Sequence, residues 1–224
     1  MKPIMITKGW NKHDLWKGCI LSSIAHAIMV AHYPELSYEH SWDGMNYSVI
    51  DGTGGRATIT FSEKYCVAAF RNDNVSRSDV KAAIDFFEGA PNEVLELAKN
   101  ETLEYLLEEG EDGVPVPSIT TAFWGDQDNM ISIDNVVRIV LNGGYLLERQ
   151  LMEYDSAVES WREYYEMTDE QVDLLKSIYT RKIKDLSNDI ILTKKEIEAI
   201  GTSDPEGLNE SDTSFGEIGI RWGN

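Results

Sequence analysis

Basic residues are scarce in this 224-residue chain: 20 lysines and arginines stand against 39 aspartates and glutamates, a formal charge of −19. A surface so short of cations repels phosphate groups and anionic lipid, so neither nucleic acid nor a membrane is an expected partner. Cysteine is scarcer still. Cys19 and Cys66 sit in no CxxC pair, which excludes a disulfide scaffold. No apolar run approaches the ~20 residues that a bilayer-spanning helix needs. The most apolar stretch, Cys19–Ala31, is broken by Ser22, Ser23 and His26. The opening MKPIMITKGWNKHDLW lacks the uninterrupted apolar core of a secretory signal. A cytoplasmic protein, bacterial by its acidity, is the expectation.

Metal and phosphate motifs are also missing. The four histidines, His13, His26, His32 and His40, form neither HxH nor HExxH, so no metal centre is expected. Asp126-Gln127-Asp128-Asn129 has a calcium-like alternation, but Met130 and Ile131 stand where an EF-hand loop needs an oxygen ligand and the turn glycine. In NYSVIDGTGGRATITF, residues 46–61, the GTGG leads from one strand into another. A phosphate loop leads into a helix, whose N-terminus supplies the aligned N–H groups. GTGG therefore reads as a hairpin loop, with glycines 52, 54 and 55 supplying positive φ. No cofactor is expected.

What is present is a mixed α+β pattern. Trp16, Ile20, Ile24, Ala27, Ile28 and Ala31 recur at helical spacing over residues 12–32, and Tyr33-Pro34 ends that helix. Residues 46–71 alternate with period two (Ala57, Ile59, Phe61; then Cys66, Ala68, Phe70), which predicts a three-stranded antiparallel meander with one buried face. A helical C-terminal half follows. Ser76 or Ser78 caps a helix through Val80, Ala83, Ile84 and Phe87, and residues 91–109 form a second. ITTAFW is a strand or buried loop, and Asp134 caps a helix reaching Leu141. Residues 145–167 read as one long helix. Capping boxes at Thr168–Gln171 and Thr193–Glu196 open two more, the first continuing through Ile183 and Leu186. The expected organisation is a single α+β domain over residues 1–202: N-terminal helix and small sheet in 1–75, helical part in 76–202. Residues 203–224 form a polar, mostly irregular tail whose Ile218, Ile220 and Trp222 alternate enough to dock as a strand.

Two features carry functional expectations. Residues 85–113 hold ten acidic side chains against Lys99 alone, leaving −9. Like charges at i,i+4 repel, so such a face suggests a basic protein partner. Glu93, Glu96, Glu101, Glu104, Glu108, Glu109 and Asp112 are the candidate contacts, and Trp161 and Tyr164 of WREYY are candidate aromatic anchors. The leading expectation is an acidic, non-catalytic protein that inhibits or sequesters a basic partner, in the manner of immunity proteins or nucleic-acid mimics. The alternative is a cysteine-dependent hydrolase. Cys19 near a helix start would be its nucleophile and His40 its base, because His26, two turns along the same helix, is ~10 Å away. A structural or assembly subunit is the second alternative.

Overall fold

The meander forms as the alternation predicts. The computed structural model describes residues 3–6, 10–77, 79, 82–110, 112–184 and 189–223. In chain order its elements are β1 (Ile4–Met5), α1 (Lys12–Met29), β2 (His40–Asp43), β3 (Asn46–Ile50), β4 (Gly55–Phe61), β5 (Cys66–Asn72), α2 (Asn92–Asn100), β6 (Leu107–Glu109), β7 (Pro115–Pro117), β8 (Thr121–Gly125), β9 (Met130–Ser132), α3 (Val136–Leu141), α4 (Tyr154–Tyr165), α5 (Asp169–Lys184), β10 (Ile190–Leu192), α6 (Lys194–Glu198), α7 (Pro205–Glu217) and β11 (Ile220–Trp222). The fold class is α+β. The chain divides into two units, one of Met1–Leu15 with Met45–Glu148, the other of Trp16–Gly44 with Arg149–Asn224. A period-by-period reading follows the chain, whereas each unit is assembled from two separated segments.

In the first unit the strands run in the order β1-β9-β8-β5-β4-β3, every neighbouring pair antiparallel. The sheet is covered on both sides, not one. Val67, Ala69, Ala122 and Trp124 pack on Phe86, Phe87, Val94, Ala98, Leu103 and Leu106. On the opposite face the rings of Phe70 and Phe123 lie 5.6 Å apart, and the 3-10 segment Gly144–Leu147 lies against β4. Thr58 and Thr60 are buried as a result; Thr60 satisfies its hydroxyl on Asn46 and Thr102, Thr58 on Ser48.

The glycine loop closes on itself. Gly52 and Gly54 have φ of 68° and 101°, as a hairpin loop requires. Gly55 is extended instead and is glycine for space: a Cβ there would fall 2.3 Å from the Tyr145 hydroxyl. The amides of Thr53 and Gly55 both donate to Asp51 Oδ1, so the loop's N–H groups are turned onto the protein's own carboxylate.

The second unit is a helical core. Ile20, Ile24 and Ile28 of α1 meet Val158 and Trp161 of α4, Val172, Leu175 and Ile178 of α5, and Phe215 of α7; the parallel pair β10–β11 adds Ile190, Leu192 and Ile220. Both capping boxes form. Among the described residues no helix is long and apolar enough to cross a membrane.

Several expectations are corrected. The 145–167 helix is three pieces: 3-10 turns at Gly144–Leu147 and Arg149–Leu151, then α4. The break falls where the Gln150 carbonyl presses on the backbone of α1, so close that a Cβ at Gly18 would lie 1.8 Å from it. Residues 91–109 form α2, a 3-10 turn at Thr102–Tyr105 and strand β6, which pairs with β7. The segment expected to hold a helix through Phe87 is a 3-10 turn, Ala83–Phe87; Ser78, Val80, Glu111 and Leu186 lie outside the described residues. The cap of α3 is Asn135, whose side chain accepts from Arg138 N; Asp134 is drawn inward to Arg77.

The tail is the largest correction. Residues 205–217 are helical, capped by Asp204 with Pro205 in the first turn. Gly207, Ser211 and Phe215, spaced i, i+4, i+8, are the buried face. Ser211 Oγ donates to the Ala27 carbonyl at 2.6 Å, and a Cβ on Gly207 would sit 2.0 Å from the Ala31 oxygen. Gly207→Ala is therefore expected to destabilise by about 1–3 kcal/mol through overpacking, although propensity alone favours alanine by roughly 1 kcal/mol. Gly216→Ala, with no atom within 4 Å of the new methyl, is the control and should stabilise. Chemical denaturation of both variants checks this; stabilisation by Gly207→Ala would mean that α7 does not seat on α1.

Candidate functional site

The candidate acids sort into two groups by their elements. α2 forms because Val94 and Ala98 meet the sheet on one face while Glu93 and Glu96 point to water. Beside it, the β4–β5 turn contributes Glu63, Lys64 and Tyr65. Between them lies a groove of about 760 Å³, lined by Glu63, Glu93, Glu96 and Glu101 around the apolar surface of Tyr65 and Leu97. Lys64 pairs with Glu93 at 3.1 Å and lies 5.9 Å from the Tyr65 ring centre. Glu101 accepts from Asn46 Nδ2 at 3.0 Å, and Glu96 from Asn100 Nδ2 at 3.2 Å. Four carboxylates against Lys64 leave the groove at −3.

The second group lies on the β6–β7 hairpin and the turn before it. Glu104, Glu109 and Asp112 are exposed, but Glu108 is tied to Arg56 and Arg71. Cationic neighbours of the acidic run thus come from β4, β5 and the turn between them, far away in sequence. Tyr105, Leu107, Val114 and Val116 are exposed apolar residues in the same stretch. Pro115 and Pro117 stand opposite Glu109 and Leu107 while Ser118 and Gly110 donate to Leu106 and Val114, so the prolines take the non-hydrogen-bonded positions and the outer edge of β7 offers few donors.

The remaining candidates fall in the second unit. Trp161 is 2% exposed and belongs to the core, which corrects its assignment as a docking anchor; Tyr164 is 44% exposed. Cys19, the candidate nucleophile, is buried on α1 and 0% exposed. His40, its intended base, packs its ring against His26 at 5.1 Å and Trp161 at 5.4 Å.

His40 thereby joins a cluster that sequence spacing does not advertise. One ligand atom from each of His26, Glu39 and His40 lies within 4.8 Å of the others, and all three residues are buried. Tyr164 OH donates to Glu39 Oε1 at 2.8 Å, and Tyr165 OH to Oε2 at 3.1 Å. Tyr165 OH is also 3.2 Å from His26 Nδ1. The Arg149 guanidinium lies over the rings of Tyr164 and Trp161, at 4.3 and 5.0 Å, and bonds Ser160. Burial lowers the His26 pKa to about 4, partly opposed by the Ser37 backbone. Burial also drives His40 well below its usual value, with His26 and Arg149 adding to the effect. Both imidazoles are neutral near pH 7. The only sequence signals for this cluster are the dipeptide Glu39-His40 and the tyrosine pair, neither distinctive.

Comparison with known protein families, characterised proteins and solved structures finds no match to this chain.

Proposed function

We propose that this protein is an acidic, non-catalytic binding protein that inhibits or sequesters a basic partner protein in the cytoplasm. The observation carrying this reading is the convergence of Glu93, Glu96 and Glu101 on one groove whose floor is apolar and whose balance is −3. A lysine or arginine side chain suits it, with its aliphatic stem on Tyr65 and Leu97 and its charged head among the carboxylates. The whole-chain charge of −19 steers such a partner toward the protein. Neither of the two buried cysteines is in a disulfide, which suits a reducing compartment.

The test uses an arginine-rich peptide as probe, followed by whichever basic protein co-purifies from the native cell. In the variant Glu93→Gln/Glu96→Gln/Glu101→Gln, association at low salt should slow about tenfold, while dissociation changes less. The effect should shrink at physiological ionic strength, where the Debye length is about 8 Å. Glu93 and Glu96 are exposed charges that contribute little to stability, and Glu101→Gln keeps a side-chain oxygen to accept from Asn46, so the variant should remain folded by circular dichroism. Equal association rates for variant and wild type would remove the groove from the mechanism.

A further inference from the structure

We propose that His26, Glu39 and His40 form a binding site for one divalent transition-metal ion of the zinc type, acting as a structural cross-link within the second unit. Two imidazoles and a carboxylate form an N₂O donor set, which suits zinc or iron(II) rather than calcium or magnesium. Zinc ligands at ~2.0–2.2 Å from the ion stand roughly 3.3 Å apart in tetrahedral geometry. The three donors, already within 4.8 Å of one another, need only side-chain adjustment to reach it.

Proton accounting supplies a second, independent observation. The Tyr165 hydroxyl has one proton for two neighbours, Glu39 Oε2 and His26 Nδ1; when it goes to the carboxylate, the stronger acceptor, the contact with His26 is made by Nδ1–H donating to the hydroxyl oxygen. That tautomer leaves a lone pair on His26 Nε2. This atom is buried and has no hydrogen-bond partner. An unpartnered buried acceptor is costly, and a metal ion is one way to satisfy it.

Charge points the same way. Glu39 is buried, its two bonds come from tyrosine hydroxyls, and among the described residues no lysine or arginine lies at ion-pair distance. Arg149 is the cation that faces the cluster, but it is held on aromatic faces and on Ser160 rather than on the carboxylate. Metal-ligating carboxylates are commonly oriented by hydrogen bonds from a surrounding shell, which is what Tyr164 and Tyr165 provide. Full burial denies access to a substrate, so the role is structural: the ion would tie α1, which carries His26, to the segment entering β2.

The test uses protein prepared with a tag free of histidine, stripped with chelator and refolded with or without Zn²⁺ or Co²⁺, because a buried site loads as the chain folds. Expected are one tightly held ion per folded chain, visible ligand-field bands with Co²⁺, and a higher melting temperature. Glu39→Gln and His40→Gln should each weaken binding more than tenfold. Tyr165→Phe removes only a hydroxyl; it should weaken binding about tenfold and serves if the other variants fail to fold. Refolded wild type that takes up no stoichiometric ion would overturn the proposal. So would uptake that Glu39→Gln and Tyr165→Phe leave unchanged, since the ion would then sit on surface carboxylates.

Discussion

Replacing Asp134 with alanine is expected to cost about 3–5 kcal/mol of unfolding free energy, the range for breaking a buried ion pair. Asp134 is inaccessible to solvent, yet it receives Arg77 Nη1 at 2.9 Å and Nη2 at 3.2 Å, and Thr121 Oγ1 at 2.8 Å. Arg77 is itself largely buried, lies over the Phe86 ring at 5.1 Å, and donates to the Thr120 carbonyl at 2.7 Å. Without Asp134 the carboxylate left to it among the described residues is Asp79, which Arg138 shares. Bonds from those two arginines hold the Asp79 carboxyl below its usual range. Asp134→Asn keeps the shape and should cost less than Asp134→Ala. Urea denaturation measures both, and a loss below about 1 kcal/mol for Asp134→Ala would show that the pair does not secure the segment carrying Arg77 to β8 and β9.

The second large effect is acid sensitivity. His26 titrates near 6.5 in an unfolded chain and at about 4 in the folded protein, because burial disfavours its cation. Between those values the unfolded state binds more protons, so stability rises with pH. The contribution is fully present above pH 6.5 and is lost as pH falls toward 4. Against the unfolded chain this amounts to about 2–3 kcal/mol between pH 7.5 and 4.5. His40 acts in the same direction. The groups facing the pair are Glu39, Tyr164, Tyr165, Arg149 and Trp161. Carboxylates elsewhere also respond to acid, so the decisive comparison is wild type against His26→Gln, both in chelator. The variant should be less stable at pH 7.5 and less sensitive to pH; parallel curves would remove His26 from the acid response.

Local chemistry was legible wherever short range decides. The period-two run at 46–71, the capping boxes at Thr168 and Thr193 and the hairpin reading of GTGG all follow from side-chain spacing and turn stereochemistry, and each appears in the fold. Of the candidate docking residues, Glu93, Glu96 and Glu101 line one groove, while Glu108 is tied to Arg56 and Arg71. That difference depends on cations brought from β4 and β5, which no window along α2 contains.

The amino-acid sequence by itself determined the α+β class, the meander, the position of α1 and α5, and the excess of negative charge. These rest on periodicity, capping and composition, all of which act within a few residues. Tertiary structure alone decided three other things. It made a helix of the tail, because Gly207 and Ser211 stabilise it by backbone proximity to α1, which a search for apolar stripes does not register. It broke the 145–167 helix where Gln150 meets Gly18. It also gathered His26, Glu39 and His40, two of them adjacent in sequence and the third a loop away, around two tyrosines from α4. In each case the stabilising contact lies between elements far apart in the chain, and it forms only once the core has set their positions.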